Sequence, residues 1–317
     1  MHRIAVLDDY QSVAADFCDW SQAAAPVRVV EFHDAVADED ALAARLEPFD
    51  VVVAMRERTA FRRGLLERLP NLRLLVTTGM RNAAIDVVAA TELGITVCGT
   101  GAGAAATAEL TWGLILAALR QLPREDASVR AGGWQQTLGG DLEGARLGVV
   151  GLGRLGSRVA RVGQAFGMDV VAWSQNLTDE RAAEVGVRRV ARDELFATAD
   201  VVTVHLLLSR RTRGLIGADD LGRMKPTAVL VNTSRGPIVE ERALLDVLHA
   251  GRIAGAGLDV FDTEPLPREH PLRSAPRTVL TPHLGYVTRG TYEVFYREVV
   301  EDVAAWAAGR PIRVVEH

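Results

Sequence analysis

Short runs of apolar residues alternate with segments of helical periodicity along the first hundred residues of the chain. The apolar runs have the length of buried strands, and the segments between them carry apolar residues every three to four positions. Strands that alternate with helices indicate an α/β fold built on a doubly wound parallel sheet. The predicted strands cover residues 4–7, 27–32, 51–54, 74–77 and 95–97, and the predicted helices include residues 39–46 and 63–69.

Residues 145–160, ARLGVVGLGRLGSRVA, predict a strand, a tight glycine turn and a helix. In a dinucleotide-binding unit, Gly151 permits the turn, Gly153 lets backbone N–H groups approach a pyrophosphate, and Gly156 lets the helix pack on the strand. The same glycines also suit a turn that binds nothing, so the motif alone leaves both possibilities open. Six further apolar runs predict the other strands of a second parallel sheet, at residues 169–173, 187–190, 201–207, 228–232, 255–260 and 278–281.

A glycine-rich link separates the two sets of strands. It runs from Gly99 to Gly103 and leads into an alanine- and leucine-rich helix, predicted at residues 104–122 and ended by Pro123. This change in composition indicates a domain boundary near residue 100. A final helix, predicted at residues 288–308, carries aromatic and aliphatic side chains at a spacing typical of a core. Because the chain ends soon afterwards, we expect this helix to return the C-terminus to the first domain.

Composition and charge narrow the possible partners. The chain has 317 residues, 48% hydrophobic and 24% charged, and a net charge of −5, which together suggest two ordinary globular domains. An acidic balance gives no electrostatic reason to expect nucleic acid or an anionic membrane as partner. No signal-peptide pattern opens the sequence, and the longest apolar segment, residues 110–119, is too short to span a bilayer. We therefore expect a cytoplasmic protein without a membrane partner.

The two cysteines do not predict a metal site. Cys18 and Cys98 are far apart and neither belongs to a C-x-x-C pair. We expect buried free thiols rather than zinc ligands, and no metal is predicted.

The ends of the first-domain strands offer a candidate anion site. Gly79 and Met80 lie in a turn after a predicted strand, where backbone N–H groups can hold a small carboxylate. Arg56 and Arg58 follow a neighbouring strand and can add positive charge. An ordinary strand-to-helix loop with solvated arginines fits the same residues.

Three later motifs carry a resemblance to a known family. They are VNTSRGPIV at residues 231–239, GLDVFDTEPL at residues 257–266 and TPHLG at residues 281–285. In this order after a G-x-G-x-x-G, they resemble the NAD(P)-dependent D-2-hydroxyacid dehydrogenases along nearly the whole chain. The resemblance implies two doubly wound parallel-sheet domains, in which a Rossmann cofactor domain (residues 104–285) is inserted into a flavodoxin-like substrate domain (residues 1–103 plus 286–317).

The resemblance implies that Arg235, Glu264 and His283 are catalytic residues in the cleft between the domains. Oxidation of a 2-hydroxy acid requires a base for the hydroxyl proton and an acceptor for the hydride, which a histidine and a nicotinamide supply. His283 is then the acid when a 2-keto acid is reduced, and Glu264 fixes its tautomer. Arg235 offers a planar cationic fork for the substrate carboxylate.

The same resemblance implies contacts with cofactor and substrate, and a homodimer formed through the cofactor domain. Asp259 is implied to accept a hydrogen bond from the nicotinamide carboxamide, and Gly79, Met80 and Arg56 to contact substrate. The implied cofactor-binding residues are Gly151, Gly153, Arg154, Leu155, Gly156, Ser174, Thr233, Asp259 and Gly285.

Two departures from the family pattern qualify these implications. Ser174 stands where an acidic residue normally binds the ribose hydroxyls and repels a 2′-phosphate, so either NAD or NADP is expected to bind. The link from Cys98 to Ala106 also lacks the usual Pro-Gly, and the added glycine predicts a softer hinge.

Other functions fit parts of the sequence. Co-repressor proteins that sense dinucleotides share this scaffold and retain the Arg, Glu and His, so a binding protein is the alternative to an enzyme. Glu264 argues against a formate dehydrogenase, in which we expect a glutamine because formate has no hydroxyl proton. Nothing after Ser174 supports a methyltransferase.

Overall fold

The structure, a computed structural model, describes residues 1–101, 103 and 105–316. It divides into two compact units, the first formed by Met1–Gly103 with Thr288–His317 and the second by Ala104–Val287. Parts of the predicted glycine-rich link and the predicted first residue of the following helix, at positions 102 and 104, lie outside the described residues.

All the strands of the described residues belong to parallel sheets. Their bounds are β1 His2–Val6, β2 Val27–Glu31, β3 Val51–Ala54, β4 Leu74–Thr77, β5 Thr96–Gly99, β6 Arg146–Val150, β7 Asp169–Trp173, β8 Arg188–Arg189, β9 Val201–Val204, β10 Val229–Asn232, β11 Gly255–Leu258 and β12 Thr278–Leu280.

Helices occupy the connections between most of these strands. No helix in the described ranges is both long enough and apolar enough to cross a membrane. The α-helices are α1 Ala14–Phe17, α2 Glu39–Leu46, α3 Arg63–Leu66, α4 Val87–Glu92, α5 Ala105–Leu119, α6 Leu122–Arg130, α7 Arg154–Ala165, α8 Asp179–Ala183, α9 Arg192–Thr198, α10 Ala218–Arg223, α11 Glu241–His249 and α12 Arg289–Ala307; the 3-10 helices are Trp20–Gln22, Gly236–Ile238 and Pro271–Ser274.

The first unit contains a five-stranded sheet in the order β2-β1-β3-β4-β5. Strands β3 and β4 are buried at every position, as their continuous apolar sequences predict. The order reverses between β1 and β3, and in an open parallel sheet ligands bind beyond the carboxyl ends of the strands at such a reversal.

The second unit contains a seven-stranded sheet in the order β12-β11-β10-β9-β6-β7-β8. Here the order reverses between β6 and β9, and the glycine turn follows β6 directly. The two sheets confirm the predicted α/β class with two doubly wound parallel sheets.

The helix predicted at residues 104–122 is wrong at its C-terminal end. α5 stops at Leu119, and Gln121 adopts a left-handed backbone with φ 47°, which breaks the helix. Pro123 then lies in the first turn of a second helix, α6, because a helix does not need a backbone N–H at that position. The proline therefore begins a helix instead of ending one.

The aromatic stripe of α12 belongs to the core of the first unit. Tyr292, Phe295, Tyr296 and Val299 are buried, and the ring of Phe17 stacks on Tyr296 with centroids 6.2 Å apart. The segment after α12 runs antiparallel to β5, where Gly99 N donates to Arg313 O (3.0 Å).

One buried carboxyl beneath this segment makes the stability of the first unit depend on pH. Asp302 is fully buried on α12, and its Oδ1 accepts a hydrogen bond from Arg313 Nε (3.0 Å). Its Oδ2 has no hydrogen-bond partner within the described part of the chain. Burial raises the pKa of Asp302 from 3.8 to about 7, although the Arg313 charge opposes this rise.

The Asp302→Asn variant is expected to lose less stability than the wild type as the pH rises. The folded protein binds the proton of the Asp302 carboxyl more tightly than the unfolded chain does. The stabilisation from this proton is therefore complete below the unfolded pKa of Asp302 and is lost as pH rises through about 7. Between about pH 5 and pH 8, the free energy of unfolding should therefore fall more in the wild type than in Asp302→Asn, by on the order of 1–3 kcal/mol. Urea denaturation of both proteins at each pH measures this difference, and parallel pH profiles would contradict it.

Candidate active site

Glu264 and His283 form a hydrogen-bonded pair in the second unit. His283 Nδ1 lies 2.6 Å from Glu264 Oε2, and Glu264 Oε1 accepts a hydrogen bond from the Phe261 N–H (2.9 Å). Because an ionised carboxylate only accepts, Nδ1 carries the proton in this pair. The remaining ring nitrogen, Nε2, is thus the base of a neutral imidazole and the acid of an imidazolium.

The backbone holds His283 in an uncommon conformation. Its φ is 55°, in the left-handed region that few residues other than glycine adopt. The His283 N–H donates to Asp259 O (2.8 Å) and to Thr281 O (3.0 Å). Such backbone conformations persist only where the surrounding structure enforces them, and they cluster at functional sites.

Asp259 fixes the loop that carries His283. It is completely buried, and its Oδ1 accepts hydrogen bonds from Thr281 Oγ1 (2.6 Å) and Leu284 N (2.7 Å). Its Oδ2 accepts from Gly285 N (2.9 Å). Burial raises the pKa of Asp259, while these hydrogen bonds and the neighbouring His283 oppose the rise. The carboxylate therefore acts as the internal acceptor for three donors of one loop.

Arg235 lies in a short loop between β10 and the 3-10 helix Gly236–Ile238. The buried Asn232 side chain shapes this loop, because its Oδ1 accepts from Ser234 N (3.0 Å) and its Nδ2 donates to Arg235 O (3.0 Å). Arg235 is half-buried and its Nη1 donates to Ser234 O (2.7 Å). An asparagine that bonds nearby backbone in this way is a standard means of ordering a turn.

A chain of threonine hydroxyls links two of the predicted cofactor residues. Thr111 Oγ1 donates to Thr107 O (2.7 Å), so the 2.8 Å contact with Thr233 is donated by the Thr233 hydroxyl. Thr107 Oγ1 in turn donates to Gly285 O (2.8 Å). Thr107 and Thr111 were not predicted as site residues, although two hydroxyls four positions apart in the apolar α5 are a signal in the sequence.

The three glycines of the turn after β6 have different surroundings. Gly151 has φ 100°, and a Cβ on Gly156 would lie 2.0 Å from Gly151 O, so the fold itself requires both. In contrast, a Cβ on Gly153 would meet no described atom within 4 Å. Gly153 precedes α7, so the open space lies at a helix N-terminus and fits the phosphates of a dinucleotide.

Arg154 and Leu155 are the first two residues of α7, and Arg154 is exposed. His205, at the carboxyl end of β9, lies against the turn, because a Cβ on Gly151 would be 2.6 Å from His205 O. Burial lowers the pKa of His205 to about 4, so its ring is neutral near pH 7.

Ser174 follows β7, the strand next to the turn, and is half-buried. Two nearby arginines are engaged in the fold. Arg181 donates to Ser157 Oγ (3.3 Å) and Glu184 Oε2 (2.5 Å), while Arg192 pairs with Asp220.

The predicted substrate residues Arg56, Gly79 and Met80 lie in the first unit. Arg56 Nη1 donates to Thr78 O (3.1 Å) and lies 1.9 Å from the position of a Cβ on Gly79. The Gly79 N–H, predicted to hold a carboxylate, donates to Thr100 Oγ1 (2.8 Å). That amide is therefore already used by the fold, whereas Met80 is exposed.

The structure brings most of the predicted residues of the second unit to one edge of its sheet. Asp259, Glu264, His283 and Gly285 share one hydrogen-bonded network, and the hydroxyl chain joins Thr233 to it. The turn of Gly151, Gly153 and Gly156, together with Ser174 and Arg235, follows other strands at the same carboxyl edge. A base oriented by a carboxylate, a guanidinium at the same edge of the sheet and an open glycine turn suit proton transfer beside a bound dinucleotide.

The chain is similar in sequence to a family model and to several characterised proteins. The family model described as D-isomer specific 2-hydroxyacid dehydrogenase, NAD binding domain, matches residues 112–285. A glyoxylate reductase of Aeropyrum pernix is 42% identical over 256 residues, which cover 78% of this chain and 76% of that protein. A D-3-phosphoglycerate dehydrogenase of Archaeoglobus fulgidus is 37% identical over 82% of this chain. The chain spans only about half the length of that second relative.

A solved structure resembles the chain over almost its full length. The phosphoglycerate oxidoreductase from Vibrio cholerae matches with a TM-score of 0.93 and 41% sequence identity. The match covers 98% of this chain and 100% of the other.

Proposed function

Because the chain belongs to the D-isomer specific 2-hydroxyacid dehydrogenase family, we propose that His283 transfers the proton of its reaction, that Glu264 orients His283 and that Arg235 binds the substrate. The reaction interconverts a D-2-hydroxy acid and a 2-keto acid, and the nicotinamide cofactor, when bound, accepts or donates the hydride. The observation that carries the proposal is the 2.6 Å hydrogen bond between His283 Nδ1 and Glu264 Oε2.

This hydrogen bond supports a definite role for each partner. Glu264 keeps the Nδ1 proton in place, so Nε2 takes the hydroxyl proton during oxidation and gives a proton to the carbonyl oxygen during reduction. The Glu264 carboxylate also stabilises the positive charge that the ring carries after proton uptake. The Arg235 guanidinium offers two parallel N–H donors to the substrate carboxylate, and its charge polarises the carbonyl next to it.

We infer that the second unit is the cofactor domain and the first is the substrate domain. The glycine turn supports this assignment, because Gly153 is open where Gly151 and Gly156 are constrained. Gly151, Gly153, Arg154, Leu155 and Gly156 would hold the phosphates, and Thr233, Asp259 and Gly285 the nicotinamide end. Gly79, Met80 and Arg56 of the first unit are proposed to contact substrate.

We propose that both NADH and NADPH are used, because Ser174 brings no negative charge to the end of β7. A Ser174→Asp variant should shift the kcat/KM ratio toward NADH by about tenfold or more, since a carboxylate there repels a 2′-phosphate. Steady-state kinetics with both cofactors measure the shift. A wild type that already prefers NADH strongly, or a ratio unchanged by the substitution, would contradict the proposal.

A small 2-keto acid is the proposed substrate class. The panel that tests it contains glyoxylate, hydroxypyruvate, pyruvate, bulkier 2-keto acids and 3-phosphohydroxypyruvate, the 2-keto form of phosphoglycerate. The names of the relatives support glyoxylate and the phosphorylated acid as first choices. Turnover of none of these acids would overturn the proposed activity.

A homodimer formed through the second unit is proposed as well. α6 and the segment after it expose four large apolar side chains, and such patches mark protein interfaces. Light scattering is expected to give a dimer for the wild type and a monomer for Trp134→Glu combined with Leu138→Lys. A monomeric wild type would refute it. The four side chains are Leu122, Val129, Trp134 (72% exposed) and Leu138 (96% exposed).

The alternative, a dinucleotide-sensing co-repressor, is not favoured. The matched relatives are named as reductases and dehydrogenases.

A further inference from the structure

A second histidine–carboxylate pair lies next to the segment that carries Glu264. Resting on the proposed function, we propose that Glu241 and His270 are positioning residues that hold the loop of residues 261–264 so that Glu264 meets His283. Neither residue belongs to the proposed catalytic group, and each acts through hydrogen bonds to its neighbours.

The tautomer of His270 follows from its two contacts. Its Nδ1 accepts a hydrogen bond from the Leu272 N–H (3.3 Å), at the start of the 3-10 helix Pro271–Ser274. Nδ1 is therefore unprotonated, and the proton lies on Nε2, which is 3.1 Å from Glu241 Oε1. His270 thus donates to Glu241 as a neutral ring and caps a helix with its other nitrogen.

Glu241 lies beside the backbone of the Glu264 loop. It is the first residue of α11, and it lines a small cavity together with Phe261 and Asp262 of that loop. The backbone N–H of Phe261 donates to Glu264 Oε1 (2.9 Å). The residues that border this cavity with Glu241 therefore include the one whose amide holds Glu264, so a shift of Glu241 is expected to move that contact.

Close packing transmits this restraint to the loop of Arg235. A Cβ on Gly236 would lie 2.2 Å from Phe261 C and 2.6 Å from Asp262 N, so the two backbones touch where Gly236 has no side chain. Gly236 follows Arg235, and the same segment continues into Glu241. Backbone packing therefore joins the segment of Arg235 and Glu241 to the segment of Glu264, and the Glu241–His270 pair joins both to the chain that leads into β12 and His283.

The environment of Glu241 explains why a histidine faces it. Glu241 and His270 side chains are only 23% and 16% exposed, and burial raises the pKa of Glu241. A partly buried carboxylate needs donors to offset its lost hydration, and His270 provides one. Without His270, Glu241 loses the donor that stabilises its charged form and fixes its orientation beside the loop.

Two readouts test the positioning role. The first is the NMR signal of the proton on His283 Nδ1 in the ligand-free, 15N-histidine-labelled protein, assigned by its loss in His283→Asn. A 2.6 Å hydrogen bond to a carboxylate moves such a signal downfield, so Glu241→Ala and His270→Ala should return it upfield. The second is kinetics with the best 2-keto acid, where kcat should fall by about tenfold without a change in KM, because a small misplacement of Glu264 weakens proton transfer.

Conservative and control variants separate positioning from general damage. His270→Gln can still accept from Leu272 and donate to Glu241, so it should keep both the signal and kcat. Glu240→Ala and His249→Ala alter exposed residues beside and at the end of α11 and should change neither readout. If an alanine variant does not fold, Glu241→Gln, which keeps the volume of the side chain, is measured in its place.

The outcomes distinguish this inference from the proposed function. A wild type that reduces no 2-keto acid overturns the proposed function, while the NMR signal still decides whether Glu241 and His270 position Glu264. An unchanged signal in folded Glu241 and His270 variants overturns the positioning role, whatever the enzyme turns over.

Discussion

Replacing His283 with asparagine is expected to lower kcat for 2-keto acid reduction by about a hundredfold or more, the range for loss of a positioned general acid. Asparagine is preferred to alanine because the backbone of His283 has φ 55°, a conformation that asparagine tolerates well. The loop should therefore keep its shape while Nε2 disappears. Steady-state rates at saturating cofactor measure the effect.

The control for this variant is His249→Asn, which changes an exposed histidine at the end of α11. Its kcat should equal that of the wild type. Thermal unfolding of His283→Asn is expected to match the wild type closely, so that a lower rate reports chemistry. Unchanged turnover in folded His283→Asn would remove His283 from the mechanism.

Replacing Asp259 with asparagine is expected to destabilise the second unit by about 1–3 kcal/mol, the cost of leaving a buried donor unsatisfied. Both carboxylate oxygens of Asp259 accept from the His283 loop, and an asparagine has one oxygen and one NH2 group. If the amide oxygen keeps the two donors of Oδ1, the NH2 faces the Gly285 N–H. The loop must then shift, and activity should fall together with stability.

Chemical denaturation measures the loss of stability in Asp259→Asn. The matched control is Asp246→Asn, an exposed carboxylate on α11, for which little change is expected because surface pairs contribute weakly. Equal stability of Asp259→Asn and the wild type would show that the three hydrogen bonds do not hold the loop.

The sheets could be predicted because buried parallel strands have a direct sequence signal. β3 and β4 coincide with uninterrupted apolar runs, so both their existence and their ends were predicted correctly. An apolar run can also extend beyond its strand. The run at residues 201–207 predicted a strand to Leu207, but β9 ends at Val204, and His205 O lies beside Gly151.

Local sequence patterns gave wrong or incomplete predictions where a backbone angle or a residue distant in sequence determines the structure. Nothing in the composition near Leu122 indicates that Gln121 adopts a positive φ and divides one helix into two. The role of Gly79 depends on Thr100, 21 positions later, whose hydroxyl already accepts the glycine N–H. Such contacts arise only when the sheet brings separate strand ends together.

The candidate site shows the same division. Motifs of the family predict Arg235, Glu264 and His283, yet the residues proposed to position Glu264 are scattered along the chain. Glu241 and His270 are 29 positions apart, and neither stands in a motif that predicts a role beside the site.

The most direct test of the central claim, that Glu264 and His283 act as one unit in proton transfer, is a double-mutant cycle on kcat. The cycle compares Glu264→Gln, His283→Asn and the double variant with the wild type, using one 2-keto acid and one cofactor. Residues that act as a unit give strongly non-additive effects, so the double variant should be no slower than His283→Asn alone. Independent effects, with the two losses multiplied in the double variant, would contradict the account.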